Sequence, residues 1–401
     1  MKYFVLLSFV VVCFCCNRKE TPISPFKEYH IEKAFGMKGE TVWLDSISDS
    51  ISIIPLETSD RILMGGGGHY YLYNDLLFIS HAPSQGKSRL SVFDLSGKYL
   101  WDIGSQGQGP GEYININGPR TIFFNNNRVY LNDVKTCSIL CYSLNGEFIR
   151  KIKYPNRHYF KQFTFIEKDN MAGFLMAGCK SRIIFMDEDG KYIDSIAHYT
   201  PYDKIVGTSE FDGGFFNYNG QKYIKEAYYD TVFLVKKDMK LYPEYILNSG
   251  KYAIRYEDIA YLDRDERSQK LLNSKLVNVV FENDGCIIAT RWGGEEVKNW
   301  ATESRSYILI DKASGTAKKV FFYYSEETCK YFLKEKIYLN PAAFGHTPGM
   351  SFDTQEPRLM NDGSPTFLIN NVSEDNTIWI GSERPLDFDD NPVIILIHLK
   401  K

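Results

Sequence analysis

The sequence lacks an excess of charge of either sign. Its 47 lysine and arginine residues are balanced by 50 aspartate and glutamate residues, which leaves a formal net charge of -3 at pH 7. A protein that binds nucleic acid needs a broad positive field to attract phosphates, and this balance does not supply one. The composition therefore excludes nucleic acid as an expected partner.

The sequence also lacks the motifs of common catalytic and metal sites. It contains no GxSxG nucleophile elbow and no HExxH pair, and its 7 histidines are scattered. The glycine-rich run 104–111 has no Gly-Lys-Ser/Thr ending, so it predicts a tight crossing between structural units rather than a phosphate loop. The acidic run 187–189 has no closing glutamate and predicts a hairpin turn rather than a calcium loop. We expect no catalytic residue, no metal ligand and no cofactor.

Cysteines at metal-binding or redox spacing are missing as well. Of the 8 cysteines, three lie at the N-terminus, and the five others cannot all pair and form no CxxC motif. Cys137 and Cys141 would share one face of a strand, where their separation argues against a bond between them. We expect small buried free side chains at Cys137, Cys141, Cys179, Cys286 and Cys329.

The N-terminus carries an apolar run that is too short to cross a bilayer as a helix. A lysine precedes the apolar residues 3–14, a pattern typical of a secretory signal. Cys13, Cys15 and Cys16 end this run, and they resemble the lipobox of a bacterial lipoprotein. Cys16 is the predicted lipidated residue, because the small Cys15 would then precede the cleavage site. An ordinary signal peptide that is rich in cysteine is the alternative.

What the sequence does contain is a repeated strand-turn-strand pattern. SVFDLSGKYLWDIG and CYSLNGEFIRKI each alternate apolar and polar residues around a turn that ends in Gly97 or Gly146, as β-hairpins do. A third copy, IIFMDEDGKYID, contains Gly190. The turn glycines are 49 (146 minus 97) and 44 (190 minus 146) residues apart, a spacing typical of β-propeller blades.

The repeats predict an all-β fold, a single six-bladed β-propeller. The run 51–56 has no hairpin partner nearby, and we expect it to pair with the terminal run 393–398, so that N- and C-terminal strands close the ring. Residues 256–275 and 326–337 predict short helical insertions on one face. The blades are expected near residues 68–104, 115–154, 160–198, 212–248, 275–322 and 364–400.

A tether separates the signal from the propeller. The segment after Cys16 carries two prolines and mixed charges without a hydrophobic period, which is typical of a linker. The predicted domains are a lipoprotein signal peptide at 1–15, a tether at 16–38 and the propeller at 39–401.

Several motifs resemble a known family. GSQGQGPGEY at 104–113, a following strand that ends in YLND and the hairpin YSLNGEFI are similar to an NHL-type repeat. With PLET at 55–58, YDTVF at 229–233 and the lipoprotein start, the chain resembles the six-bladed β-propeller lipoproteins of Bacteroidota. The resemblance implies a lipid anchor in the bacterial cell envelope, at the outer membrane, with no reaction attached. NHL-like and lactonase-like propellers can hold calcium or zinc in the central channel, and the resemblance carries that alternative.

Two predicted strand ends carry the side chains that we expect to bind a ligand. Arg120 begins an inner strand after a Gly-Pro pair, whereas Arg291 and Trp292 end the apolar strand CIIATRW. A guanidinium beside an aromatic ring suits sugars or carboxylates, through paired hydrogen bonds and stacking. The alternative is a structural salt bridge and a packed tryptophan.

Many strand repeats without a catalytic constellation favour a non-catalytic binding or scaffold module. Its ligand would be a glycan, a peptide or an envelope protein, and its lipid anchor would contact the membrane. The alternative is a propeller enzyme, a lyase or hydrolase acting on glycans or lactones, with a site at the mouth of the central channel. A purely structural partner of an outer-membrane complex is the third interpretation, and it predicts a broad apolar patch on one face.

Overall fold

The structure is a computed structural model of the chain. Its described residues are mainly strands joined by turns, which confirms the all-β class. In this described part, no helix is long and apolar enough to span a membrane. The described residues are 26–64, 68–81, 87–116, 120–154, 160–175, 179–198, 213–259, 261–292, 306–325, 337–338, 371–372, 378–385 and 391–400.

The first described segment contributes strands to sheets that are completed much later in the chain. Its elements are β1 (Lys27–His30), α1 (Glu32–Gly36), β2 (Glu40–Trp43), α2 (Leu44–Ile47) and β3 (Ser48–Pro55).

Three sheets then follow, each built from four consecutive antiparallel strands in the manner of propeller blades. Blade 1 consists of β4 (Gly68–Tyr73), β5 (Leu76–His81), β6 (Arg89–Asp94) and β7 (Tyr99–Asp102). The short parallel pair β8 (Ser105–Gln106) and β9 (Glu112–Tyr113) follows it. Blade 2 consists of β10 (Ile122–Asn125), β11 (Arg128–Asp133), β12 (Ser138–Ser143) and β13 (Phe148–Lys153). Blade 3 consists of β14 (Phe160–Phe165), β15 (Asn170–Leu175), β16 (Ser181–Asp187) and β17 (Tyr192–Ala197).

Blades 4 and 5 have the same order, and each gains a fifth, parallel strand from the N-terminal segment. β1 lies beside the last strand of blade 4, and β2 lies beside the last strand of blade 5. Blade 4 consists of β18 (Gly213–Tyr218), β19 (Gln221–Glu226), β20 (Thr231–Val235) and β21 (Leu241–Asn248). Blade 5 consists of β22 (Leu276–Glu282), β23 (Cys286–Trp292), β24 (Tyr307–Asp311) and β25 (Ala317–Tyr323).

The connection between blades 4 and 5 contains the helical insertion predicted for 256–275. It holds two 3-10 turns, Gly250–Tyr252 and Tyr256–Asp258, and α3 (Arg264–Leu272). Asp263 begins α3, because its carboxylate accepts hydrogen bonds from the amides of Asp265 (2.8 Å) and Glu266 (2.9 Å). The other predicted helix, in residues 326–337, lies almost entirely outside the described residues.

A further sheet combines both ends of the chain. β29 pairs antiparallel with β3 on one side and with β28 on the other, and Ile53 lies opposite Ile395. This is the pairing expected between residues 51–56 and 393–398. We call it the terminal sheet; its C-terminal strands are β26 (Ile337–Tyr338), β27 (Asn371–Val372), β28 (Ile378–Pro385) and β29 (Val393–Leu399).

The blade count predicted from the sequence needs a correction. The described residues contain five blades of four consecutive strands, at the first five predicted positions, where the sequence predicts six. Within the described residues, the sixth predicted range, 364–400, supplies β27, β28 and β29, and β3 pairs beside β29 as expected for residues 51–56. An unpaired edge on β29 would expose backbone donors and acceptors, and β3 removes that edge.

The predicted boundary of the tether also needs a correction. Residues 27–36 were expected in the linker 16–38, yet β1 pairs with β21 over four residues. Tyr29 and Ile31 are buried in the core between blades 4 and 5. These residues therefore belong to the folded region.

Apolar clusters fill the spaces between neighbouring sheets. Successive blades share four such clusters, for example through Phe78 of blade 1 and Phe124 of blade 2, whose ring centroids are 4.8 Å apart. The terminal sheet packs on both sides: Ile394 lies in a cluster with blade 1, and Ile395 lies in a cluster with blade 5. The side chains of β29 therefore alternate between two different blades.

The hairpin glycines of blades 1, 2 and 3 dock each of these blades onto the outer strand before it. Gly97, Gly146 and Gly190 all have positive φ, and a Cβ there would meet a backbone oxygen of the preceding sheet at 1.9, 2.8 and 2.7 Å, respectively. β3 is therefore the outer strand on which blade 1 docks, just as β7 is the outer strand on which blade 2 docks. The oxygens belong to Pro55 in β3, Asp102 in β7 and Lys153 in β13.

Asn391 fastens the crossing from the terminal sheet to blade 1. Its side-chain amide donates to the carbonyls of Glu57 (2.6 Å) and Ile62 (2.9 Å), and its Oδ1 accepts from the amide of Met64 (2.6 Å). Its own amide donates to Thr58 Oγ1 at 2.8 Å. The PLET motif thus works as a structural clasp.

We predict that Asn391→Ala destabilises the protein by about 3 kcal/mol, because one buried and two partly buried hydrogen bonds are lost and two carbonyls and an amide each lose a partner. Asn125→Ala is the control, since that side chain makes one exposed hydrogen bond to the Lys168 carbonyl and should cost less than about 1 kcal/mol. Urea unfolding measures both variants, and equal losses would refute the clasp.

Candidate functional site

The face on which the first strand of each blade begins carries the candidate site; we call it the upper face. Antiparallel order brings to the same edge the end of the second strand, the start of the third and the connection to the next blade. Both predicted arginines lie there, Arg120 before β10 and Arg291 in β23, at the end of a second strand.

Arg120 reaches from blade 2 to blade 4. Its backbone has φ 63°, and its Nη1 donates to the carbonyl of Gly213, the first residue of β18, at 2.5 Å. A Cβ at Gly214 would lie 2.1 Å from the same nitrogen, so this glycine makes room for the guanidinium. Arg120 is half-buried and holds two inner strands together.

Arg291 is buried, at 5% exposure, and it makes a structural contact. Its Nε and Nη2 both donate to Ser306 Oγ, at 3.0 and 2.7 Å, across the connection from β23 to β24. The structure gives Arg120 and Arg291 different partners. The side chain of Trp292 lies outside the described part.

A small cleft between blades 3 and 4 collects aromatic and charged side chains on the upper face; we call it the tyrosine cleft. Tyr256 packs edge-on against Tyr228, with ring centroids 5.6 Å apart, and lies 5.2 Å from the imidazole of His198. Tyr229 donates its hydroxyl to Glu257 at 3.1 Å. The lining residues are Phe174, Leu175, Arg182, His198, Glu226, Tyr228, Tyr229 and Tyr256.

An ion pair crosses this cleft. Arg182 of blade 3 donates from Nη1 to Glu226 of blade 4, and both side chains are 8% exposed. The guanidinium also lies 5.8 Å from the ring centre of Phe233. Burial lowers the pKa of His198, and the positive charge of Arg182 lowers it further, so the imidazole is neutral at pH 7.

Lys225 supports the cleft from below. Its Nζ donates to the carbonyls of Glu226 (2.7 Å), Tyr229 (2.5 Å) and Val277 (2.9 Å), and the last of these belongs to blade 5. Burial lowers the pKa of Lys225 to about 8, against the opposing influence of Asp230 and Glu226. The ammonium group therefore fixes three pieces of backbone around the cleft.

The sequence did not single out the residues of this cleft, apart from Tyr229. Tyr229 begins the YDTVF motif, and Asp230 of the same motif accepts hydrogen bonds from the amide and hydroxyl of Ser249, both at 3.0 Å. The other residues come from distant segments and carry no motif. Charged residues that interrupt apolar strand ends, as Arg182 and Glu226 do, were the available signal.

The other sequence-predicted features have structural roles where the structure describes them. Gly104 and Gly111 have positive φ, and the acidic turn at 187–189 forms ion pairs with Arg150. No three His, Cys, Asp or Glu side chains are grouped as metal ligands within the described ranges.

The described cysteines of the body form no disulfide with one another. Cys141 is buried, whereas Cys137, Cys179 and Cys286 are half-buried, so the prediction of buried side chains was wrong for these three. Cys329 and the predicted lipidation residue Cys16 lie outside the described residues.

Comparison with known proteins identifies a family. The family described as a domain of unknown function, DUF4934, matches residues 27–398, so the chain belongs to it. A putative exported protein of Bacteroides fragilis is similar over 94% of this chain and 99% of its own, with 16% identity and a TM-score of 0.58. This similarity shows a shared fold, and its source agrees with the predicted resemblance to propeller proteins of Bacteroidota.

Weaker similarities extend to other solved structures. A member of the DUF4221 family from Bacteroides vulgatus is 11% identical, with a TM-score of 0.47, over 88% of this chain and 97% of its own. Virginiamycin B lyase from Staphylococcus aureus is 11% identical, with a TM-score of 0.35, over 69% of this chain and 75% of its own. No curated protein matches the chain.

We predict that Lys225 makes stability rise with pH above about 8. Its folded pKa of about 8 lies below the ordinary value of 10.5, so in this window the unfolded chain binds a proton that the folded protein has released. The contribution of Lys225 to stability should therefore increase from about pH 8 to 9.5, below the titration of unfolded-state tyrosines near pH 10. The thiols of Cys141 and Cys286 act in the opposite direction, because burial raises their pKa above the ordinary value.

Lys225→Met removes this titration and is the matched comparison. Urea unfolding at several pH values gives the stability of both proteins, and the difference between them isolates Lys225. A difference that stays constant across the window would show that Lys225 keeps an ordinary pKa.

Proposed function

We propose that this member of the DUF4934 family is a non-catalytic β-propeller lipoprotein of the bacterial cell envelope that binds a glycan or peptide on its upper face. The tyrosine cleft carries this proposal. It combines aromatic rings with a buried ion pair at the edge of two blades, a position where loops and strand ends are available to a ligand.

The proposed architecture is a closed ring of six blades, with the terminal sheet as the sixth. Two observations support it. The terminal sheet shares apolar clusters with both blade 5 and blade 1, and Gly97 of blade 1 docks on β3 as Gly146 of blade 2 docks on β7. Closure would leave no unprotected face on any blade.

The proposed location of the protein is the outer membrane, where a lipid on Cys16 would anchor it. The charged start, the short apolar run 3–14 and the cysteines at its end support it. The Bacteroides fragilis protein of similar fold is described as a putative exported protein, which agrees with export here. Two described strands, β1 and β2, place the N-terminal segment on the outer edges of blades 4 and 5.

The side chains of the cleft suit a small polar ligand with an apolar face. Tyr228 and Tyr229 are half-buried, so they combine ring surface with hydroxyl groups that can form hydrogen bonds. Arg182 and Glu226 offer opposite charges at the base of the same cleft. A sugar ring and a short peptide both present this mixture of apolar and polar surface, and since the cavity measures only about 30 Å³ they would lie across its mouth.

Arg120 and Arg291 have a smaller role in the proposed ligand binding than the tyrosine cleft. Arg120 lies on the same face and is half-buried, so it can border a ligand that extends towards the inner strands. Arg291 is held by Ser306, so its ligand role is weaker than its sequence suggested. The ligand-binding role of Trp292 stays a prediction.

We predict that a ligand of this class raises the thermal stability of the protein, because it binds only the folded state. Thermal unfolding against a panel of glycans, peptides, calcium, zinc and chelator identifies it. Tyr228→Ala should then weaken binding by about tenfold, since a truncated tyrosine at the centre of a site costs more than about 1 kcal/mol.

Tyr261→Ala is the matched control, because that tyrosine is 64% exposed and does not line the cleft. If both variants lost the same affinity for the ligand, or if Tyr228→Ala bound it unchanged, the tyrosine cleft would not be the binding site. Turnover of a glycan or lactone would establish the enzyme alternative instead. A panel without any shift would favour a scaffold whose partner is a protein.

We predict that Cys16→Ala releases the protein from the membrane fraction, because the thiol that would carry the lipid is removed. Cys13→Ala and Cys15→Ala are matched controls that should stay in the membrane fraction. Fractionation and immunoblotting of the three variants provide the measurement, and a Cys16→Ala protein that still sediments with membranes would contradict the anchor.

A further inference from the structure

The outer edges of two blades are already covered by strands from elsewhere in the chain. β1 pairs in parallel with residues 245–248 of β21, and β2 pairs in parallel with residues 320–323 of β25. An exposed strand edge presents unpaired backbone groups, and an added strand satisfies them. The outer strands of this fold therefore accept a fifth, parallel strand.

A β-bulge marks where the added strand begins on blade 4. In β21 the register shifts at Glu244, and β1 pairs from the next residue, Tyr245. The outer strand of blade 2, β13, shifts at the same place, because Phe148 and Arg150 have neighbouring partners while Ile149 has none. Residues 150–153 of β13 are thus the structural equivalent of 245–248 in β21.

No strand pairs with the outer edge of β13 among the residues that the structure describes. Phe148 and Ile149 are 40% and 42% exposed, which is high for large apolar side chains. Arg150 is held by ion pairs to Glu188 (3.0 Å) and Asp189 (2.6 Å) of blade 3. The edge is therefore firmly supported; Lys151 is exposed, whereas Gly190 of blade 3 packs on the carbonyl of Lys153.

The charge of the edge selects the occupant. β13 also carries the exposed Lys151 and Lys153, and lysines on an edge discourage strand pairing, so an added strand would have to match their charge. β25 gives one example of such a match: β2 (ETVW) pairs with its residues 320–323, and Glu40 of β2 forms an ion pair with the preceding Lys318 at 3.0 Å. In this example a segment with a glutamate and β-branched residues covers a strand that carries lysines.

We propose that residues 150–153 of β13 bind an extended acidic segment of a partner protein as a parallel fifth strand. A second copy of this chain fits less well, because β1 and β2 are already paired within their own molecule. The surface lies at the outer rim of blade 2, away from the tyrosine cleft, so the proposal does not depend on the proposed ligand site.

A synthetic peptide of alternating glutamate and valine tests the proposal, with a lysine-valine peptide as its counterpart. We expect the acidic peptide to bind the full chain and to slow hydrogen exchange at residues 150–153. The double variant Lys151→Glu and Lys153→Glu should weaken this binding by about tenfold, since two attractive pairs become repulsive.

The double variant Lys168→Glu and Lys237→Glu is the control, because it makes the same change of charge at two exposed lysines off this edge. Equal weakening in both variants would reduce the effect to net charge and overturn the proposal. Absence of protection at 150–153, or equal binding of the basic peptide, would overturn it as well. Protection of the same strand on self-association without peptide would assign the edge to a second copy instead.

Discussion

The antiparallel pairing of β3 with β29 is the contact on which the proposed ring depends. It brings together residues from opposite ends of the chain, such as Ile53 and Ile395, so it must offset a large entropy of loop closure. Apolar burial on both sides supplies that free energy, because Ile394 packs on blade 1 and Ile395 packs on blade 5. The docking of Gly97 on Pro55 and the hydrogen bonds of Asn391 follow from this pairing.

The hairpins could be predicted from the sequence because every signal that forms them is local. The alternating strands and the turn glycine lie within a few residues of one another, as around Gly97 and Gly146. The fifth strands could not be predicted, because β1 and β2 are four residues long and pair with strands far along the chain. For the same reason the predicted tether, 16–38, was too long.

The candidate site shows a similar division. The sequence placed Arg120 and Arg291 correctly at strand ends, because strand ends follow from the repeat. The hydrogen bonds from the Arg291 guanidinium to Ser306 could not be predicted, since they cross a connection whose path depends on the fold. The tyrosine cleft depends on the lateral position of blade 3 against blade 4, which brings Arg182 to Glu226. No local pattern specifies that position.

The buried charges at the cleft fix the positions of neighbouring groups more than they stabilise the protein. A buried ion pair often stabilises a protein no more than well-packed apolar residues, because both charges must be desolvated. Hydrogen bonds have direction, however, and apolar contacts do not. Lys225 joins the carbonyls of Glu226, Tyr229 and Val277 at one point, so blades 4 and 5 and the wall of the cleft hold a fixed geometry. Such a cluster costs more desolvation than apolar packing does, and the proposed binding site would need the fixed geometry that it provides.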